Sequence, residues 1–169
     1  IDSVSPQLVA TRSQLCNAAR AARVTRCAIC QPSQGKRKTA SVHVLHLADE
    51  EPTFSSELGT MTIGDKNTYP VLDTMSIARI TLAPGAFREP HWNVSANALG
   101  YCTAGRLLVT IFNSGNSHAI FVIDPGQMFF VPAGALHTIE NLAQEEAAFI
   151  VTYSEPINEG FGLSGSVGT

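Results

Sequence analysis

The sequence has no long hydrophobic run and few charged residues, and these two absences limit the class of protein. No apolar stretch approaches the roughly 18 residues of a membrane-spanning helix, so we expect a soluble protein with no membrane partner. Charged residues make up 15 % of the 169 residues and hydrophobic ones 44 %. This balance is typical of a globular domain and excludes a disordered chain, and the length suffices for one domain with a real core.

Aromatic residues are missing from the one strongly basic part of the chain. Residues 1–38 hold seven of the eleven Lys and Arg and one acid, for a net charge of +6, whereas residues 39–169 hold four basic and thirteen acidic residues, for −9. With a pI near 5.9, we expect no nucleic-acid partner. The basic stretch is either a targeting or anion-binding arm or an extension that packs on the acidic part of its own or a neighbouring copy. We favour the second interpretation.

The cysteines lack the companions that a zinc or redox site needs. Cys27 and Cys30 form a single C-x-x-C, without a second pair, a suitably spaced His or a βαβ context. A disulfide from Cys16 to Cys27 or Cys30 is one alternative if the protein is exported. Buried free thiols are the other alternative, which we favour for these residues and Cys102.

Short β-rich runs separated by turn residues dominate the chain after residue 40. They cover 42–47, 60–63, 76–83, 106–113, 118–124, 128–132 and 147–154. Such a pattern predicts an all-β jelly-roll barrel. An Ala-rich stretch over 6–23 predicts a short amphipathic helix, and 31–39 is a linker. We therefore predict three parts: a basic helical or extended N-terminal arm (1–39), a barrel (40–159) and a Gly-rich C-terminal arm (160–169).

Two motifs in the second half of the chain have a defined spacing. Gly85 to Gly105 reads G-x5-H-x-N-x11-G, and Gly126 to Asn141 reads G-x5-P-x-G-x2-H-x3-N. Together they resemble the two signature motifs of the cupin superfamily, a double-stranded β-helix barrel with a metal inside. The first family motif is G-x5-H-x-H-x4-E-x6-G, so Asn93 replaces the second His and Ala98 replaces the Glu.

The resemblance implies a divalent metal, Mn, Zn or Fe, held by His91, Asn93 and His137. His91 and Asn93 are two residues apart on a strand and point to the same side, and Glu89 shares that side. Metal sites normally use three or four protein ligands, with His and carboxylate favoured. An amide oxygen is a weak ligand and Ala98 is none, so we expect a weak metal site, or none and a hydrogen-bonded polar cluster instead.

The stretch from Leu47 to Tyr153 resembles the oxalate decarboxylase and spherulin-like branch of cupins, in the words LGTMTI, LAPGAFREPHWN and HTIENL. In that branch an arginine three residues before the first ligand His binds the substrate carboxylate, and Arg88 has that position. Guanidinium is a natural bidentate partner for a carboxylate. The branch also uses a lid glutamate as a proton carrier, and Glu159 lies in about the right place. The alternatives are a surface arginine and a solvated loop glutamate.

We therefore expect a cupin with a weakened or lost metal site that binds a small carboxylic acid, in a binding or storage role. The alternative is a manganese-dependent enzyme of the oxalate decarboxylase or oxidase type. N-terminal arms of this kind commonly cross to a neighbour, so we also expect a homo-oligomer, most simply a dimer.

Overall fold

The computed structural model describes residues 8–9, 41–115 and 117–167. Within them about half of the backbone forms short strands, and a five-residue helix, α1 (Leu163–Val167), follows the last strand. The strands are β1 Leu8–Val9, β2 Phe54–Ser56, β3 Gly59–Gly64, β4 Ser76–Leu82, β5 Phe87–Asn93, β6 Ala98–Ala104, β7 Leu107–Phe112, β8 His118–Ile123, β9 Met128–Val131, β10 Leu136–Asn141, β11 Ala147–Tyr153 and β12 Gly160–Gly162.

The strands of the described residues form two antiparallel sheets. One sheet has the order β1-β5-β10-β7-β8, and β12 joins it by pairing with β5. The other has the order β2-β3-β4-β11-β6-β9. Because successive strands such as β5 and β6 lie in different sheets, the chain crosses between the sheets repeatedly, as in a jelly roll. The predicted all-β jelly-roll barrel is confirmed.

The hydrophobic core lies between the sheets and follows the alternation of faces along each strand. In β11, Phe149, Val151 and Tyr153 are buried while the residues between them are partly exposed. Complete burial of a ring such as that of Phe149 contributes roughly 1.5–3 kcal/mol. The other large core residues come from both sheets and are Met61, Ile80, Leu82, Leu107, Val109, Ile111, Ile123, Phe129, Val131 and Ile139.

Six of the seven predicted β-rich runs coincide with strands to within one residue at each end, but the run over 42–47 is wrong. It consists of turns, in which the carbonyl of Ser41 accepts from the N–H of Val44 at 3.2 Å and its Oγ accepts from the N–H of His43 at 3.2 Å. Local bonds of this kind compete with strand pairing. Val42 and Val44 are exposed, so a strand here would bury little apolar surface.

The N-terminal arm is described only at Leu8–Val9. These residues form β1 and pair with Phe87 and Arg88 of β5 in the same chain, so the helix predicted over 6–23 is wrong at this point and the extended alternative holds. An edge strand has unpaired backbone N–H and C=O groups, and β1 pairs with those of β5. Outside the described residues lie the rest of that helix, the linker, Cys16, Cys27 and Cys30. Cys102 is a buried free thiol, as predicted.

The Gly-rich C-terminal segment packs on the barrel. β12 runs antiparallel to β5, with Gly160 opposite Asn93 and Gly162 opposite His91. In α1, which follows, the hydroxyl of Ser166 donates to the carbonyl of Gly162 at 2.9 Å. The described residues contain no helix with the length and apolar character to cross a membrane.

Candidate functional site

A cavity of about 120 Å³ lies inside the barrel beside β5, and we call it the barrel cavity. Its wall combines side chains of β5 with Met61 of β3, Tyr153 at the end of β11 and residues of the segment 157–162. This volume is well below the roughly 300 Å³ at which pockets for drug-sized ligands begin, so it suits a small molecule. Its polar lining residues are Asp65, Ser76, Arg88, Glu89, His91, Tyr153 and Asn158.

A β-bulge in β5 places two consecutive side chains, those of Arg88 and Glu89, in the wall of the barrel cavity. His137 pairs with His91 but Ile139 pairs with Arg88, so β5 has one residue more than β10 between these pairs. A bulge interrupts the alternation of faces, and Arg88 and Glu89 are only 7 % and 6 % exposed. Arg88 is therefore no surface residue, and Glu89 lies on the side of His91, as strand parity predicts.

His91 is buried and hydrogen-bonded at both ring nitrogens. Its Nδ1 lies 2.7 Å from the carbonyl oxygen of Glu89, and because a carbonyl only accepts, Nδ1 carries the proton. Its Nε2 accepts from the Nε–H of Arg88 at 2.8 Å. Burial, and after it the charge of Arg88, holds the pKa of His91 well below its usual value. The lone pair of His91 Nε2, which would bind a metal, thus accepts a hydrogen bond from the guanidinium of Arg88.

His137, Asn93 and Asn158 form a chain of contacts with a fixed direction. Nδ1 of His137 donates to the carbonyl of Ala135 at 2.9 Å, which leaves its Nε2 as an acceptor for Nδ2 of Asn93 at 3.5 Å, a long contact. Oδ1 of Asn93 then accepts from Nδ2 of Asn158 at 3.0 Å. Burial lowers the pKa of His137 to about 4, so the ring is neutral near pH 7. The chain ends on Oδ1 of Asn158, a buried acceptor with no partner among the described residues.

Arg88 brings a buried positive charge that forms no ion pair within the described part of the chain. Its Nη1–H donates to Sδ of Met61 at 2.8 Å, a weak acceptor. Burial lowers the pKa of Arg88, and Tyr153 and Glu89 partly oppose that effect electrostatically. The carboxylate of Glu89 accepts from the N–H of Ser164 at 3.2 Å instead of pairing with Arg88.

The predicted metal ligands lie together, but they fit a divalent ion poorly. The ring centroids of His91 and His137 are 4.0 Å apart, and Asn93 adjoins His137. Ala98 lines a narrow inner space of about 10 Å³ beside them and supplies no donor. The described residues contain no group of three or more His, Cys, Asp or Glu that could hold a metal. The guanidinium of Arg88 also adds positive charge beside His91, which further disfavours a cation.

Glu159, the predicted proton carrier, lies between β11 and β12 with an exposed side chain. Its N–H donates to Oγ of Ser95 at 3.3 Å and its carbonyl accepts from the N–H of Val94 at 2.9 Å. Its neighbours Asn158 and Gly160 line the barrel cavity, but Glu159 does not. The backbone therefore holds this segment against the barrel, and proton transfer by Glu159 stays a prediction.

Sequence reasoning missed four polar residues of the barrel cavity, which are Asp65, Ser76, Tyr153 and Asn158. Tyr153 follows Phe149 and Val151 at two-residue steps, so the alternation in β11 could have found it. Asn158 lies in a segment without regular structure, and no periodic signal marks it. Its place depends on the pairing of β12 with β5, which a sequence pattern does not reveal.

A jelly roll of two antiparallel sheets, with the histidines of two neighbouring strands in contact inside the barrel, is typical of the cupin class of protein. The protein-family model described as Cupin matches residues 45–162, well over half of the chain. The chain belongs to this family, and the first resemblance inferred from the two motifs is confirmed.

The chain is similar to enzymes and to germin-like proteins of this family. It is 30 % identical over 109 residues to oxalate decarboxylase OxdC of Bacillus subtilis, covering 64 % of this chain and 28 % of that protein. It is 31 % identical to germin-like protein 3-3 of Oryza sativa, covering 63 % and 55 %. A solved structure of the Bacillus decarboxylase superposes with a TM-score of 0.67 at 29 % identity, over 70 % of this chain and 31 % of that one. The chain thus spans about a quarter to a half of these relatives.

Proposed function

We propose that this cupin barrel binds a small carboxylic acid through Arg88 and that its divalent-metal site is weakened or lost. The observation that carries the proposal is the buried guanidinium, which lines the barrel cavity and forms no ion pair with a described residue. A buried charge without a partner costs several kcal/mol. A carboxylate in the cavity offsets that cost and forms charge-assisted hydrogen bonds with the guanidinium.

The predicted metal-ligand positions also lack the negative charge that would favour a metal cation. His91 and His137 are neutral near pH 7 because burial lowers the pKa of both. Asn93 stands where the first cupin motif has its second His, and Ala98 stands where it has a Glu. Neither of these side chains carries a charge. The side chains at the ligand positions therefore supply no negative charge to hold a divalent ion, while Arg88 supplies a positive one.

Calorimetric titration with acetate, glycolate and oxalate tests the proposal. In the variant Arg88→Met we expect the affinity for the bound acids to fall by roughly 30-fold or more, since truncating one partner of a buried charge pair costs about 2–5 kcal/mol. Arg79→Met, which removes a guanidinium from a partly exposed position on β4, is the matched control and should bind as the unmodified protein does. Equal affinities of Arg88→Met and the unmodified protein would contradict the proposal.

The metal part of the proposal has its own measurement. Elemental analysis of the purified protein should find Mn, Fe and Zn well below one ion per chain. Tight stoichiometric metal would contradict the weakened site and leave carboxylate binding by Arg88 to be judged by titration.

The second candidate function is a manganese-dependent enzyme of the oxalate decarboxylase or oxidase type. The similarity to the Bacillus decarboxylase favours it, and one solved structure of that enzyme concerns its Mn(II) centres. The chain is also 30 % identical to oxalate oxidase GF-2.8 of Triticum aestivum, in a match that covers 50 % of that protein. In this function His91, Asn93 and His137 would be the ligands, and a bound metal supplies Lewis acidity.

Oxalate turnover with added Mn(II), followed as CO2 and formate, separates the two functions. Turnover that Glu159→Gln lowers and the control Glu155→Gln, an exposed carboxylate of the same segment, leaves unchanged would support the enzyme. Absence of turnover at saturating Mn(II) would contradict it.

A further inference from the structure

The amide of Asn158 presents an acceptor without a donor beside the barrel cavity. Its Oδ1 is buried and has no hydrogen-bond partner among the described residues. The carbonyl of Ala135 fixes the direction of the chain through His137 and Asn93, so the amide of Asn158 cannot flip without opposing two acceptors. A buried acceptor left unsatisfied costs about 1–3 kcal/mol. The group that completes this chain must therefore be a donor.

The hydroxyl of Tyr153 is a second unused polar group in the cavity. The residue is 5 % exposed, lines the cavity with Arg88 and makes no hydrogen bond with a described residue. Buried tyrosine hydroxyls usually find a partner. Arg88 and Tyr153 line the same cavity, so both can donate hydrogen bonds to one carboxylate bound there.

We propose that the cavity selects a small hydroxy acid, with Arg88 and Tyr153 binding the carboxylate and Asn158 accepting a hydrogen bond from the hydroxyl. This inference rests on the proposed carboxylate binding and adds the chemical class of the ligand. Two donors and a lone acceptor in one cavity match a molecule with an anionic head and an O–H group. A volume of about 120 Å³ accommodates a small acid of this kind.

A fully ionised dicarboxylate matches the same cavity less well. Its second carboxylate only accepts, so it would face the carbonyl oxygen of Asn158 without a donor. Glu89 also lines the cavity and adds a negative charge on the same wall. Like charges at close range repel strongly in a site of low dielectric. Oxalate should therefore bind less tightly than glycolate.

Matched pairs of ligands test the inference on the unmodified protein. Glycolate differs from acetate by one hydroxyl, as lactate differs from propionate, and titration of all four gives two affinity ratios. We expect each hydroxy acid to bind about tenfold or more tightly than its partner, since an unpaired buried acceptor is satisfied in one case only. Equal affinities within both pairs would overturn the inference and leave carboxylate binding intact, whereas no binding of any acid would overturn the proposed function.

Two variants test which residue contacts the hydroxyl of the ligand and which contacts its carboxylate. Asn158→Leu should abolish the preference for hydroxy acids while acetate still binds, and the control Asn113→Leu, in an exposed hairpin loop, should keep the preference. Tyr153→Phe should weaken both members of each pair by a similar factor, because it removes a contact to the shared carboxylate. A preference that survives in Asn158→Leu would overturn the role of that amide. If Asn158→Leu does not fold, the ligand ratios of Tyr153→Phe and the unmodified protein still decide the inference.

Discussion

Single residues decide what the barrel cavity can hold. The substitutions at positions 93 and 98 remove an imidazole and a carboxylate from the pattern that the motifs resemble, and Arg88 donates to the remaining lone pair of His91. The sequence alone showed the missing ligands. It did not show that Arg88 contacts His91, because that contact depends on the bulge between β5 and β10.

Restoring the family ligands should restore metal affinity. In the double variant Asn93→His with Ala98→Glu we expect Mn(II) affinity to rise by about tenfold or more, since a carboxylate adds negative charge and the imidazole a strong donor. Titration calorimetry with Mn(II) measures the gain. Asn93→His with Ala98→Gln, of equal size but neutral, is the control for charge and should gain less. No gain in the double variant would mean that the cavity is not a metal site.

Strands as elements were largely predictable, because alternation and turn residues mark them locally. Ser76–Leu82 and Ala147–Tyr153 follow the two-residue period and match their predicted runs closely. The run over 42–47 had the right residue types but turned out to be turns, since hydrogen bonds within it replace pairing. Composition alone does not decide between these outcomes, because local hydrogen bonds compete with strand pairing.

The pairing of β6 with β9 depends on close packing at Gly100. A Cβ atom added there would collide with the ring of Phe129. We expect Gly100→Ala to lower the free energy of unfolding by about 1–3 kcal/mol or more, the usual cost of overpacking a core. Gly160→Ala is the control, because the added atom meets only ordinary contacts at 3.5 Å or beyond. Denaturant unfolding of both variants measures the difference, and equal stabilities would contradict this packing.

At the scale of the whole molecule, the core and the cavity belong to one part of the chain. The described core residues lie between Met61 and Tyr153, inside the predicted barrel. This agrees with a division into a barrel and two arms, which we propose as the domain organisation. The sequence could not place the arms, because short strands such as β1 and β12 have no pattern of their own.

Removing residues 1–39 should leave a folded barrel. We expect the fragment 40–169 to unfold cooperatively, with a melting temperature within several degrees of the full chain, because the removed part contributes no residue to the described core. Differential scanning calorimetry measures this, and loss of the cooperative transition would contradict the proposed division. Light scattering on both chains tests the predicted homo-oligomer: a lower multiple of the chain mass for the fragment would mean that the arm holds copies together.

The first and last described strands, β1 and β12, pair with the same strand, β5. β1 pairs with β5 at Arg88, and β12 pairs with it at His91 and Asn93. β1 and β12 thus occupy the outer edge of β5 and close it against added strands. Segments fused close to β1 or β12 would consequently act on the backbone that carries Arg88, His91 and Asn93. Tags placed in the exposed β7–β8 loop, on the far side of that sheet, would leave this strand undisturbed.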